Sequence, residues 1–222
     1  MVAVASSFRD EPWEHPDWYD LHDTTWTAGP EREPEHYREL VISLPPLDYD
    51  DHLLDVGAGT GKIASAVGRA YPRLGRVSLV EPNEKKLERA VERVREILPN
   101  AEIRAYPIPL GFDGTLPEID ASVVTVGSVF MPAMELWSGS LASALDWLRA
   151  SLEQIARVLR RDGALFDVET LGPPWLRGNL DGPSRRLRMQ ELTEELLRKF
   201  VTVECVYRFR DRVILKAASP RS

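Results

Sequence analysis

The run His52-Leu53-Leu54-Asp55-Val56-Gly57-Ala58-Gly59-Thr60-Gly61-Lys62 constrains this chain more than any other stretch. Apolar residues build a buried strand, an acid sits near its end, and three glycines alternate through the turn into a helix. Glycine lets the backbone adopt φ > 0 and approach a ligand closely without steric cost. At the head of a helix the free N–H groups point toward whatever the turn holds. A second strand, Val77-Ser78-Leu79-Val80, follows and ends in Glu81. Strand, glycine turn, helix and a strand ending in an acid make a nucleoside-binding half-fold.

Spacing separates the cofactor classes that use such a turn. A phosphate loop requires G-x-x-x-x-G-K-[ST]. Gly61-Lys62 meets part of it, but Ile63 replaces the hydroxyl that would hold magnesium, and Val56 replaces the first glycine. The dinucleotide fingerprint is G-x-G-x-x-G. Counted from Gly57 and Gly59, its third glycine falls on Lys62. What remains is Asp55, Gly57, Gly59 and Gly61, with Glu81 downstream. This pattern resembles the first motif and the ribose-binding acid of class I S-adenosylmethionine-dependent methyltransferases. That cofactor has no phosphate, so a full anion cradle is not needed. The resemblance implies that Glu81 accepts from the ribose hydroxyls in charge-assisted hydrogen bonds. Asp55 and the turn backbone would meet the amino-acid end.

At 222 residues the chain fits one domain, or a domain with a small cap. A single cysteine, Cys205, excludes an internal disulfide and a cysteine-built metal site. No apolar run approaches a membrane span. The N-terminal residues Met1 to Ser7 lack the basic flank and apolar length of a signal peptide, so the cytoplasm is the expected location. The formal net charge is −7, whereas nucleic-acid binders show a basic patch or stripe. The only dense basic cluster is Arg185-Arg186-Leu187-Arg188. The charge weighs against a nucleic-acid substrate without removing it, because a local patch can hide in a net charge.

Residues 1–33 are rich in Trp, Pro, His and acids, and read as a cap or lid segment ahead of a cofactor-binding domain at 34–222. A helix is predicted over Pro34 to Ile42, with Pro34 suited to its first turn. Further helices are predicted from about Thr60 to Tyr71 and after Asn83, a good cap. The second of these carries Leu87, Val91, Val94 and Leu98 on one face. Glu102 to Tyr106 and Ala121 to Val126 read as the third and fourth strands. A long helix with Leu141, Leu145, Leu148, Leu152, Ile155 and Leu159 on one face follows. Arg160-Arg161-Asp162-Gly163 is expected to end it, and Ala164 to Thr170 to form the fifth strand. A helix around Gln190 to Phe200 precedes a hairpin of Val201 to Tyr207 and Arg212 to Ala218. The segment Arg157-Val158-Leu159-Arg160-Arg161-Asp162-Gly163-Ala164-Leu165 resembles the R-V-L-(K/R)-P-G-G-x-L stretch of the same family, with Asp162-Gly163 in place of Pro-Gly or Gly-Gly. The resemblance covers roughly residues 35–218. It implies an α/β, Rossmann-like class I methyltransferase fold. Its parts are a seven-stranded, mainly parallel sheet, a C-terminal antiparallel hairpin and an N-terminal helical cap.

In open α/β sheets the ligand lies at the carboxyl ends of the strands. The resemblance therefore gives cofactor candidates strand by strand: Asp55, Gly57, Gly59 and Gly61; Glu81, Pro82 and Asn83; Pro107 and Ile108; Gly127 and Ser128. Family members often place an Asp after the third strand for the adenine amino group. This chain has Pro107 there, which leaves backbone and apolar packing, with Ile108, to hold the ring. Substrate candidates come from three insertions: Trp18, Tyr19 and Trp26; Phe130, Met131, Met134 and Trp137; and Trp175 with Arg185. Apolar walls with few polar groups suit a small organic molecule, and aromatic faces suit a sulfonium. Candidate bases are His22, His36 and Glu169, while His52 opens a buried strand and reads as structural. Metal-dependent relatives need acids after the fourth strand; Gly127-Ser128 supplies none, so no metal is expected.

The expected function is metal-independent methyl transfer from S-adenosylmethionine to an O, N or C atom of a small molecule in secondary metabolism, leaving S-adenosylhomocysteine. Neither a nucleic-acid nor a membrane partner is expected, and a monomer or a homodimer remains open. The alternatives are a protein or RNA methyltransferase, a non-catalytic subunit that keeps the fold, and an enzyme that uses the sulfonium without transferring its methyl group.

Overall fold

The computed structural model describes residues 35–112, 114–135, 140–170, 182–209 and 212–221. The expected cap at 1–33 lies outside them, as do the candidates Trp18, Tyr19, His22, Trp26, Trp137 and Trp175. Seven strands form one sheet. The chain divides into two compact units, Met1–Pro107 and Ile108–Ser222.

The first unit carries α1 (Glu35–Ser43), β1 (His52–Val56), α2 (Lys62–Ala70), β2 (Arg76–Val80), α3 (Glu84–Ile97) and β3 (Glu102–Tyr106). β1 pairs with β2, and β2 with β3, both in parallel and in unbroken register. Every residue of β1 is buried, as an apolar parallel strand covered on both faces requires. β3 is largely exposed, as befits the edge of the sheet. Asn83 caps α3 by accepting from Lys86 N–H at 3.1 Å. α3 buries Leu87, Ala90 and Val94, and full burial of one such leucine contributes roughly 1.5–3 kcal/mol. His52 is buried, with Nε2 2.9 Å from the Ser78 hydroxyl.

The second unit carries β4 (Ala121–Gly127), α4 (Phe130–Glu135), α5 (Leu141–Val158), β5 (Leu159–Thr170), α6 (Gly182–Lys199), β6 (Phe200–Phe209) and β7 (Arg212–Pro220). β4 and β5 are parallel, whereas β7 runs antiparallel to both β5 and β6. Ser140 caps α5, accepting from Ser143 N–H at 3.2 Å.

Three local expectations need correction. Arg160 to Gly163 do not end a helix: α5 stops at Val158 and these residues already lie in β5. The pairing of β4 with β5 shifts register there. A Cβ on Gly163 would lie 2.9 Å from the Ser122 carbonyl oxygen, so this glycine serves close strand packing and not a helix stop. The buried face of α5 is also rotated from the leucine stripe, running through Ala144, Trp147, Leu148, Ser151, Leu152, Ile155 and Val158. On that face the Trp147 indole N–H donates to the Leu110 carbonyl at 3.1 Å. Finally, α6 begins at Gly182, so the basic cluster Arg185 to Arg188 lies on its first turns.

Candidate functional site

The glycine turn between β1 and α2 has all three alternating glycines in the left-handed region, with φ of 69° at Gly57, 52° at Gly59 and 79° at Gly61. A residue with a Cβ is strained there. At Gly61 a Cβ would also sit 2.9 Å from Ala90 Cα on α3, so this glycine sets how closely helix and turn approach.

The turn is held from several sides. Gly57 and Ala58 donate their N–H groups to the Val80 carbonyl at 2.9 and 3.0 Å, which ties the turn to the end of β2. Glu81, 8% exposed, follows that carbonyl. Its Oε2 accepts from Gly59 N–H and its Oε1 from Asn83 N–H, each at 3.0 Å. One carboxylate thus joins the turn to the cap of α3. Each carboxylate oxygen has two acceptor directions.

Asp55 is fully buried, and its Oδ2 accepts from Ala64 N–H at 3.3 Å, inside the first turn of α2. Arg93 on α3 donates from Nη1 to the Thr60 carbonyl at 2.6 Å and to the Thr60 hydroxyl at 3.0 Å. No motif signals that clamp, which spans 33 residues of sequence. Among the remaining first-unit candidates, Pro82 and Pro107 are exposed and Asn83 is half-buried.

In the second unit Ile108, Gly127 and Ser128 are half-buried. Ser128 takes φ of 53°, unusual for a residue with a side chain, and donates its N–H to the Val168 carbonyl at 2.8 Å. Phe130, Met131 and Met134 are fully buried, which places these side chains in the interior of the unit. Arg185 is half-buried on α6.

Of the base candidates, His36 is buried, with its ring 4.3 Å from that of Tyr37. Glu169 is fully buried and accepts from Phe130 N–H at 2.8 Å through Oε1. Two residues earlier on the same strand face lies Asp167, also fully buried. Burial, and then the neighbouring Glu169 carboxyl, push the Asp167 carboxyl well above the usual range. Sequence reasoning did not single out Asp167. The alternation Asp167-x-Glu169 was its only signal. Among the described residues, no group of three or more His, Cys, Asp or Glu is placed to hold a metal ion, and no helix is long and apolar enough to cross a membrane.

No protein-family model matches the chain, and no curated protein matches it. Solved structures do. A S-adenosylmethionine-dependent O-methyltransferase from Thermotoga maritima matches with a TM-score of 0.56, 13% identity and coverage of 86% of this chain and 67% of its own. A TehB-like S-adenosylmethionine-dependent methyltransferase from Corynebacterium glutamicum gives a TM-score of 0.55 at 14% identity, covering 91% and 94%. Geranyl diphosphate C-methyltransferase from Streptomyces coelicolor, solved with Mg²⁺, geranyl diphosphate and S-adenosylhomocysteine, gives 0.55 at 13% identity, covering 84% and 77%. At such identities the likeness establishes the fold, which is the Rossmann-like fold of class I methyltransferases.

Proposed function

We propose that this chain is a metal-independent S-adenosylmethionine-dependent methyltransferase that modifies an O, N or C atom of a small organic molecule in secondary metabolism. The observation that carries the reading is Glu81 bonded to Gly59 N–H at the end of β2, beside a turn with three glycines at positive φ. Structural neighbours named for S-adenosylmethionine dependence support the cofactor, and one named for geranyl diphosphate supports a small substrate. Acidic net charge and a single cysteine suit an enzyme of the cytoplasm that does not act on nucleic acid.

The residues fit the cofactor. Glu81 would accept from the ribose hydroxyls, and Pro82, Asn83 and Pro107 would flank the adenosine. The turn backbone would receive the amino-acid end. Asp55, facing Ala64 N–H, would act by holding the start of α2. When bound, the cofactor would supply a methyl group on a sulfonium for an acceptor lone pair, with the thioether of S-adenosylhomocysteine as leaving group. Holding acceptor and cofactor in line supplies most of the acceleration in such a displacement. His36 and Glu169 are buried in contacts of their own. The proposal therefore rests on alignment and gives Glu169 the task of holding the Phe130 amide at the start of α4.

The test is calorimetric titration with S-adenosylmethionine and S-adenosylhomocysteine, beside NAD and ATP. Micromolar binding of the two sulfur nucleosides alone supports the class, and a screen of small molecules for a methyl mass shift then finds the substrate. Binding of NAD or ATP in their place overturns the reading.

A further inference from the structure

We propose that Arg93 is a positioning residue for the cofactor, holding the glycine turn in its receptive form through both oxygens of Thr60. The inference rests on the cofactor assignment above. Thr60 lies between Gly59 and Gly61 and is fully buried. Thr60 precedes Gly61, the cap of α2, so its carbonyl lies outside the helical ladder. Here Ala64 N–H donates to Asp55 Oδ2 at 3.3 Å, and the Thr60 carbonyl accepts from Arg93 at 2.6 Å. Two side chains from outside the turn therefore take over where the helix begins. Arg93 also holds the Thr60 hydroxyl at 3.0 Å, so both oxygens of one residue are fixed by one guanidinium nitrogen.

The surroundings make this more than a surface bond. Ala90, one turn before Arg93 on the same face of α3, meets Gly61 at the close approach described above. Thr60 is thus held by Arg93 while the next residue is stopped by Ala90. Gly59 on the other side is tied to Glu81. Three glycines give this turn wide conformational freedom, and each of these contacts removes part of it. Without Arg93 the segment Gly59 to Gly61 would populate other conformations, and apparent affinity falls in proportion to the receptive fraction.

The test measures the Kd of S-adenosylhomocysteine by calorimetry in the wild type, Arg93→Met, Arg93→Lys and Arg95→Met. Amide hydrogen exchange at Gly59, Gly61 and Ser65 is measured without ligand. We expect Arg93→Met to weaken binding about tenfold or more, as a receptive fraction of about one tenth dictates, with faster exchange at the three amides. Arg93→Lys, which keeps a charged donor, recovers part of the loss. Arg95→Met, on the same helix, stays within about twofold of wild type, since only the receptive fraction alters apparent affinity. A wild-type Kd in Arg93→Met overturns the inference whatever happens to Tm, and so does an equal loss in Arg95→Met. Should Arg93→Met not fold, Arg93→Gln, with a shorter and neutral donor, takes its place under the same criteria. Failure of the wild type itself to bind overturns the cofactor assignment, and the inference with it.

Discussion

Replacing Gly61 with alanine strikes the turn where two independent constraints meet. Its φ of 79° lies in the left-handed region, which costs an L-residue roughly 1–2 kcal/mol. The added Cβ would lie 2.9 Å from Ala90 Cα and 3.1 Å from the Ala90 carbonyl oxygen. These are backbone atoms, so the clash cannot be relieved by turning a side chain. α3 or the turn has to move, and overpacking of this kind costs about 1–3 kcal/mol. The sum is about 2–5 kcal/mol. In a chain of 222 residues, with about 2–4 °C of Tm per kcal/mol, that corresponds to a fall of roughly 4–20 °C. Thermal and urea unfolding followed by circular dichroism measure it. Gly68→Ala is the control. That glycine lies inside α2 without a positive φ, and its Cβ would meet side-chain atoms of Leu98 at 3.0 Å. The helix propensity gained there, about 1 kcal/mol, offsets the crowding, so its Tm should move little. A Gly61→Ala protein within about 2 °C of wild type, less than the smallest shift the sum allows, would refute the claim that this contact fixes helix to turn.

Glu81→Ala removes the acceptor of Gly59 and Asn83 N–H and the proposed ribose contact. Binding of S-adenosylhomocysteine should weaken by about tenfold or more, or roughly 1.4 kcal/mol, and unchanged affinity would remove the ribose assignment. Asp167 holds its proton more tightly when folded than unfolded, because burial and Glu169 raise it. Stability should therefore fall as pH rises from the unfolded value of about 3.9, by at most about 1.4 kcal/mol per pH unit per proton. Asp167→Asn should flatten that slope and surpass wild type at neutral pH; urea unfolding profiles that run parallel from acid to neutral pH would contradict it. Glu195, 4% exposed, accepts from Arg149 on α5 at 2.9 Å and pairs with Arg198 on its own helix. Glu195→Ala should cost about 1–2 kcal/mol, less than a wholly buried pair, because it leaves the half-exposed arginines to water; a loss under about 0.5 kcal/mol, the size of an ordinary surface substitution, would mean that the network does not tie α5 to α6.

Where neighbours in sequence decide the structure, the sequence was legible. Glu102 to Tyr106 forms β3 as predicted, and Asn83 caps α3, because strand composition and cap chemistry act over a few residues. Distant partners decide the rest. Arg160-Arg161-Asp162-Gly163 has the composition of a helix end, yet the carbonyls of Ala121 and Ser122 need Gly163 beside them. Phe130-Met131-Pro132-Ala133-Met134 reads equally well as a ligand wall or as core, since apolar content does not say which way a side chain faces. The structure buries Phe130, Met131 and Met134 completely on a short helix. Asp55 carried no local sign that its carboxylate would meet Ala64 N–H, nine residues on. Arg93 carried no local signal at all. Its partner Thr60 becomes a neighbour only after β2 and α3 are in place.

The acids around the turn bear on which nucleoside it can receive. A helix N-terminus is a ready site for phosphate, because free N–H groups and the helix dipole favour negative charge. In this chain that capacity is already used in part: Asp55 accepts from Ala64 N–H inside the first turn of α2, and Glu81 accepts from Gly59 N–H in the turn itself. A phosphate brought to the same N–H groups would displace these bonds and stand against two carboxyl groups. Like charges a few ångströms apart disfavour each other even at an effective dielectric of about 20, by a few kcal/mol. A ligand that brings hydroxyls and an ammonium to these carboxyl groups meets the opposite situation, since those groups are attracted to them, and its single carboxylate carries less negative charge than a phosphate chain. The spacing of the glycines excludes the phosphate loop by pattern, and the placement of Asp55 and Glu81 disfavours phosphate by charge. Those two arguments are independent, one resting on residue counts and the other on hydrogen bonds, and they favour the same class of cofactor.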